Sequence, residues 1–152
     1  MRYTPKDPDP LFDSAQSVVQ GLGMTLIELS VSRHKGHIQA RAVVYKSGAL
    51  GIDDCSRVHH ALLPRLELAF AGQDLYVEVS SPGIERTIKD AAEFGHYIGR
   101  GLRCFRTDIF DWTGGVLHAA DETQLVLKGK DGMIPLRYDI IAKAKLDYSQ
   151  EV

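Results

Sequence analysis

The chain has 152 residues, of which 44% are hydrophobic and 25% charged, with 18 basic against 20 acidic side chains and a formal net charge of −2. Such totals describe a globular chain of one ordinary domain or two small ones, without a low-complexity tract or an apolar run long enough to cross a bilayer. They also exclude the whole-chain basic field that is the simplest mark of a nucleic-acid binder, so any RNA contact has to come from local clusters.

The first eight residues are polar and lack the apolar core of a secretory signal, which makes a cytoplasmic location the expectation. Behind the Asp-Pro-Asp-Pro loop, apolar residues at 11, 12, 15, 18, 19 and 22 draw one helical stripe, stopped by Gly21 and Gly23. "MTLIELSVSR" and "IQARAVVYK" then read as two strands joined at "HKGH", a β-hairpin. After a loop, Asp53 or Asp54 caps a second helix with Cys55, Val58, Leu62, Leu66 and Phe70 on one face. Pro64 lies inside this run and is expected to kink or split it, because it removes an intrahelical donor. "LYVEVS" is a third strand, so residues 1–88 form an N-terminal α-β-β-α-β sandwich domain with two helices over one sheet face.

Residues 89–152 change character. "DAAEFGHYI" reads as a short linker helix ending at Gly99. Five short strands follow in close succession: "GLRCFR", "TGGVLHAA", "TQLVLK", "GMIPLR" and "IAKAKLDY". That spacing predicts a small C-terminal β-barrel of the SH3 or Sm kind and makes the whole chain α+β. In the last strand Ala142, Ala144 and Leu146 are expected to face one way and Lys143 and Lys145 the other. Division after residue 88 gives nine basic and ten acidic residues to each part, a net −1 apiece.

Chemistry has few footholds. In "SSPG" the Pro-Gly pair fits the centre of a type II turn, where glycine supplies the positive φ. The nucleophile elbow Gly-x-Ser-x-Gly and the phosphate-loop pattern are both missing. Cys55 and His59 are four apart on one helix, the spacing of a thiol–imidazole pair. Yet Cys55 also lies on the apolar stripe, where a cysteine is a small core residue, and the same is expected of Cys104. Two cysteines are too few for a disulfide framework or a four-ligand zinc site, and the histidines lack ligand spacing, so no metal and no cofactor are expected. The basic residues carry more interest. Arg86 and Lys89 flank the joint, Arg100, Arg103 and Arg106 follow it, and Lys143 and Lys145 share a face. Phe105 alternates with Arg103 and Arg106, a pattern that suits stacking on RNA.

Three stretches, "GIDDCSRVHHAL", "YVEVSSPGIERTIKDAAEFGHYIGR" and "IIAKAKLDY", occur in an order that resembles the RimP family of bacterial ribosome maturation factors. The resemblance runs from Leu11 to Tyr148. It departs at Thr87, where the family usually has proline, and at His59-His60, where a Ser-Arg pair is common. It implies an N-terminal α/β domain, a C-terminal SH3-like barrel and no catalysis. The implied partner is the free 30S small ribosomal subunit or its precursor in late assembly, with the small-subunit protein numbered twelve near the decoding centre as a protein contact. A monomer is expected. The candidate ribosome-binding residues are then Ser81, Pro82, Gly83, Glu85, Arg86, Lys89, Arg100, Arg103, Lys143 and Lys145. Two competing readings remain open: a general Sm-like RNA-binding module, and an enzyme built around Cys55.

Overall fold

The computed structural model of the chain describes residues 1–7, 9–46, 50–83 and 86–151. Helices and antiparallel and parallel strands are both present, an α+β chain that divides into two compact units, Asp7–Pro82 and Met1–Lys6 together with Gly83–Val152.

In the first unit, helix α1 spans Pro10–Gly21. The Asp9 carboxylate accepts from the Phe12 N–H at 3.1 Å and Pro10 opens the first turn, where its missing donor costs nothing. Phe12, Ala15 and Val19 form its buried stripe. Gly23 adopts φ +81°, and the chain turns back so that the Met24 N–H reaches the Val19 carbonyl at 3.2 Å. Strand β1 (Thr25–His34) pairs antiparallel with β2 (His37–Tyr45) through the tight turn at Gly36, and Ile38, Ala40, Ala42 and Val44 are all fully buried. Helix α2 runs unbroken from Ile52 to Ala69. Pro64 therefore does not split the helix. Pro64 and His60, whose carbonyl loses its intrahelical partner, are both exposed, on the side of the helix where a lost backbone bond costs least. Strand β3 (Asp74–Ser80) adds parallel to β2, giving the order β1-β2-β3. Val58, Leu62 and Leu66 of α2 and the stripe of α1 close the core with Met24, Leu26 and the alternating side chains of β2.

The second unit begins with β4 (Thr87–Ile88), a two-residue strand that the sequence pattern does not reveal. Ala91–Tyr97 follows as a 3-10 helix rather than an α-helix. The reason lies in its spacing: Ala91, Phe94 and Tyr97 are all buried, and a repeat of three matches three residues per turn. The Asp90 carboxylate caps it, accepting from Ala92 N–H at 2.9 Å and Thr4 N–H at 3.0 Å. Burial raises the pKa of this carboxyl, but those hydrogen bonds and nearby Arg2 outweigh it and leave a net lowering. Strands β5 (Gly101–Arg106), β6 (Asp111–Ala120), β7 (Gln124–Gly129), β8 (Gly132–Arg137) and β9 (Ile141–Leu146) complete a six-stranded sheet ordered β4-β9-β5-β6-β7-β8. All its ladders are antiparallel, and among the described residues β4 and β8 remain its edges, with no pairing that closes the sheet.

Strand β9 departs from the expected alternation. Ile141, Ala144 and Leu146 are buried, whereas Ala142 and Lys143 are both exposed. A bulge explains it: Phe105 pairs with Lys143 and Arg106 with Ile141, so Ala142 is the extra residue and points outward. Cys104 lies fully buried in this core, and burial pushes its thiol up to about 12. Cys55 of the first unit is only half-buried, contrary to its expected place in the core.

Candidate functional site

The loop after β3 carries the first group of expected docking residues. Ser81 is exposed and Pro82 half-buried at the end of the first unit. Gly83 adopts φ +86°, the left-handed value that a Pro-Gly turn requires. Glu85 lies outside the described residues. Arg86 is engaged internally. Its guanidinium forks onto the Glu93 carboxylate through Nε and through Nη2 at 3.3 Å, and the Tyr97 hydroxyl donates to the same carboxylate at 2.8 Å. Lys89 is exposed and forms no ion pair among the described residues.

The four cations farther along reach the same sheet, but not in the same way. Arg100 packs over the Tyr148 ring at 4.7 Å and reaches Glu151 at 3.5 Å, in the 3-10 turn Tyr148–Glu151. Gln150 of that turn lies across the glycine floor of the sheet: a Cβ on Gly114 would stand 2.5 Å from its amide, and one on Gly101 would meet the Asp147 carbonyl. These glycines are therefore fixed by close approach rather than by φ.

Arg103, Phe105, Lys143 and Lys145 share the sheet's outward face. The register places Arg103 beside Lys145 and Gly114, and Phe105 between Lys143 and Trp112. The Arg103 guanidinium lies 5.3 Å over the Trp112 ring, and Phe105 meets that ring edge to face at 5.5 Å. Arg106 points to the other face, where it binds Asp108 through two contacts of 3.0 and 2.7 Å. Its hydrogen bond holds the Asp108 carboxyl below the usual carboxylate range. Trp112 is 40% exposed, and in the turn that leads into its strand Ile109 and Phe110 are 52% and 80% exposed. Sequence reasoning missed all three. The strand had been expected to start at Thr113, which left the chain's one tryptophan inside a turn.

A second concavity, of about 490 Å³, opens in the first unit between the start of α2 and the end of β3, lined by Ile52, Cys55, His59, His60, Val79 and Ser81 among others. Cys55 and His59 both border it. Among the described residues neither side chain hydrogen-bonds the other, and no carboxylate orients the imidazole, so the arrangement lacks the contacts that activate a thiol. Asp54, close by in sequence, caps the Gly51 N–H at 3.0 Å and pairs with Lys46 at 3.2 Å, and these bonds hold its carboxyl low. No cluster of three His, Cys, Asp or Glu side chains suited to a metal ion occurs among the described residues.

Comparison with known proteins bears on the whole chain. Residues 14–85 match the family model described as the RimP N-terminal domain. Proteins named ribosome maturation factor RimP from Borrelia recurrentis and Borrelia hermsii are each 27% identical over 140 residues, covering 92% of this chain and 96% of theirs. The protein of the same name from Borrelia turicatae is 26% identical over the same lengths. Similarity thus covers most of the chain, and the N-terminal domain match and the named relatives together support the RimP family.

Proposed function

We propose that this chain is a ribosome maturation factor that binds the free 30S small subunit or its precursor and promotes late assembly without catalysis. The name shared by its relatives supports the maturation role. The observation that carries the binding mode is the outward sheet face, where Lys143, Lys145 and Arg103 surround Phe105 and Trp112. Cationic and aromatic groups without an activated nucleophile beside them suit adhesion rather than bond making.

On this reading the six-stranded sheet is an SH3-like barrel in its bending, and the division of labour falls at residue 88, between an α/β domain and that barrel. The factor acts as a cytoplasmic monomer. Ser81, Pro82, Gly83, Glu85 and Lys89 serve as docking residues, while Arg86 and Arg100 support them by holding Glu93 and the Tyr148–Glu151 turn. Binding then shifts the particle's conformational population by the factor's differential affinity for one state. The acidic first unit faces basic ribosomal protein, the small-subunit protein numbered twelve, and charge complementarity there guides encounter and register.

The same sheet face favours a second reading, a general Sm-like RNA-binding module. Co-sedimentation of the purified chain with free small subunits, large subunits and whole ribosomes at two salt concentrations separates them. Selective capture by free small subunits is the expected result. Equal association with every particle, vanishing with salt, selects the RNA module instead.

A further inference from the structure

The outward sheet face is more sharply built than adhesion to a particle requires. Two basic side chains of β9, Lys143 and Lys145, stand beside the Arg103–Phe105 pair of β5, and that pair braces the Trp112 indole. The neighbouring turn is pinned from several sides. Thr107 N–H donates to the Ile140 carbonyl at 2.8 Å, Arg106 forks onto Asp108, and the Asp111 carboxylate accepts from the Trp112 N–H at 2.7 Å. Despite that order, Phe110 is held at φ +52° with 80% of its surface exposed. Left-handed backbone at a phenylalanine costs energy, and a rigid frame that imposes it to expose a ring points to a ring with a use.

We infer that this face is a stacking platform for unpaired RNA, with Trp112, braced by Arg103, as the anchor for one base, Phe110 as a second ring from the adjoining turn, and Lys143 and Lys145 along the phosphates. The inference deepens the ribosome-binding reading and rests on it for the source of the RNA. Single-stranded RNA is the occupant because the face pairs exposed aromatic rings with the two lysines of β9. A base offers a ring to the first and a phosphate to the second, and an A-form duplex offers no open ring. The carboxylates near the platform are already engaged: Asp108 binds Arg106, Asp111 accepts from the Trp112 N–H, and Asp147, bonded to Ser149 and Gln150, also feels the Arg103 charge.

Trp112 is the chain's one tryptophan, so its emission reports on this face alone. Titration of the full chain with a short unstructured oligoribonucleotide is expected to quench that emission, and a duplex of the same length to leave it nearly unchanged. With a labelled oligonucleotide, Trp112→Ala should weaken binding about tenfold, and Trp112→Phe, which keeps a ring, should restore most of it. Replacing Lys143 and Lys145 together by glutamine should make the slope of log affinity against log salt shallower by about 1.4, two phosphates' worth on a single strand. Emission that ignores the single strand, or responds equally to the duplex, overturns the platform. So does a blue shift without quenching when basic ribosomal protein is added in place of RNA. The two readings fail separately. Small subunits that bind the chain while Trp112 emission stays constant remove the platform and keep the ribosome. Quenching by RNA with no association to any ribosomal particle does the reverse.

Discussion

The two units use arginine differently. In Asp7–Pro82 the basic side chains stay largely in water: Lys46 and Arg57, paired with Asp54, are 40% and 57% exposed. In the second unit four arginines are building elements. Arg86, Arg100 and Arg106 are 18%, 22% and 21% exposed, each on a carboxylate, and Arg103 lies on a tryptophan ring. Its lysines 89, 128, 130 and 143 point outward. A planar guanidinium can fork and stack while its stem is buried, whereas an ammonium keeps its hydration. A cation count along the chain therefore overstates the charge that the second unit presents to a partner. The units also differ in net charge. Six basic against nine acidic residues give the first −3, and twelve against eleven give the second +1, because Arg2 and Lys6 pack with the latter. A cut after residue 88 hides this by assigning −1 to each side.

Two probes can break the comparison, since both α-helices lie in the first unit and the tryptophan lies in the second. The largest effects should come from core deletions. Leu62→Ala and Phe94→Ala each remove a fully buried side chain and should cost about 3 and about 4 kcal/mol. If the units unfold independently, Leu62→Ala lowers the midpoint seen by helical circular dichroism, and Phe94→Ala the one seen by tryptophan emission. Coincident shifts in both probes would mean one cooperative transition.

Arg86→Ala comes next, at about 2 kcal/mol, because it leaves the Glu93 carboxylate half-buried with only the Tyr97 hydroxyl. Arg86→Lys should recover little of this, since an ammonium cannot supply the fork. A stability loss read by Trp112 emission, with small-subunit association restored at low temperature, marks the arginine as a strut. Lost association in a chain of unchanged stability would make it a docking residue instead.

The response to pH sharpens the contrast. Asp90, Asp108, Asp121 and Asp147 of the second unit have lowered pKa values, against Asp54 alone in the first among the described residues. For Asp121 the cause is the Thr123 and Gln124 N–H groups, and for Asp147 the Ser149 and Gln150 side chains. A lowered native pKa contributes stability above the ordinary carboxylate range that is lost as pH falls through the native value, so acid should weaken the second unit first. Alkali should act on it too. Burial raises Cys104 and Tyr138 to about 12, and stability conferred by their neutral forms fades from the ordinary thiol and phenol range up to that value. Acid and alkaline titrations followed by both probes check the order. The smallest effect belongs to Lys89→Glu. Its side chain is exposed, so stability should move by less than about 0.5 kcal/mol while association with small subunits weakens.

Much of the fold was legible because it rests on local periodicity. The stripe at Phe12, Ala15 and Val19, the alternation of Ile38, Ala40, Ala42 and Val44, and the glycine demanded by the Pro82-Gly83 turn all appear where the pattern puts them. Less of the candidate site was. Lys143 and Lys145 could be named as sheet residues, and Phe105 and Arg103 as an alternating pair, yet Trp112 was lost because a strand boundary is set by its neighbour's ladder. Whether Pro64 would split its helix was not legible for the converse reason: the cost depends on whether water can reach the His60 carbonyl, which sequence spacing does not encode.

By itself, then, the sequence determined what depends on residues within a turn or a strand of one another: the helix stripes, the hairpin, the β-rich second half, and the family signature in the segment from Tyr76 to Arg100. Tertiary structure alone decided what depends on pairings distant along the chain. The bulge that turns Ala142 outward and the meeting of Lys143, Arg103 and Trp112 arise from strand register, and the Gln150 side chain reaches Gly101 and Gly114 because the last turn folds back on the sheet. Register is a property of two strands at once, and a one-residue slip exchanges the faces of a sheet. Which cations brace the protein and which remain for a partner is settled only when those ladders close.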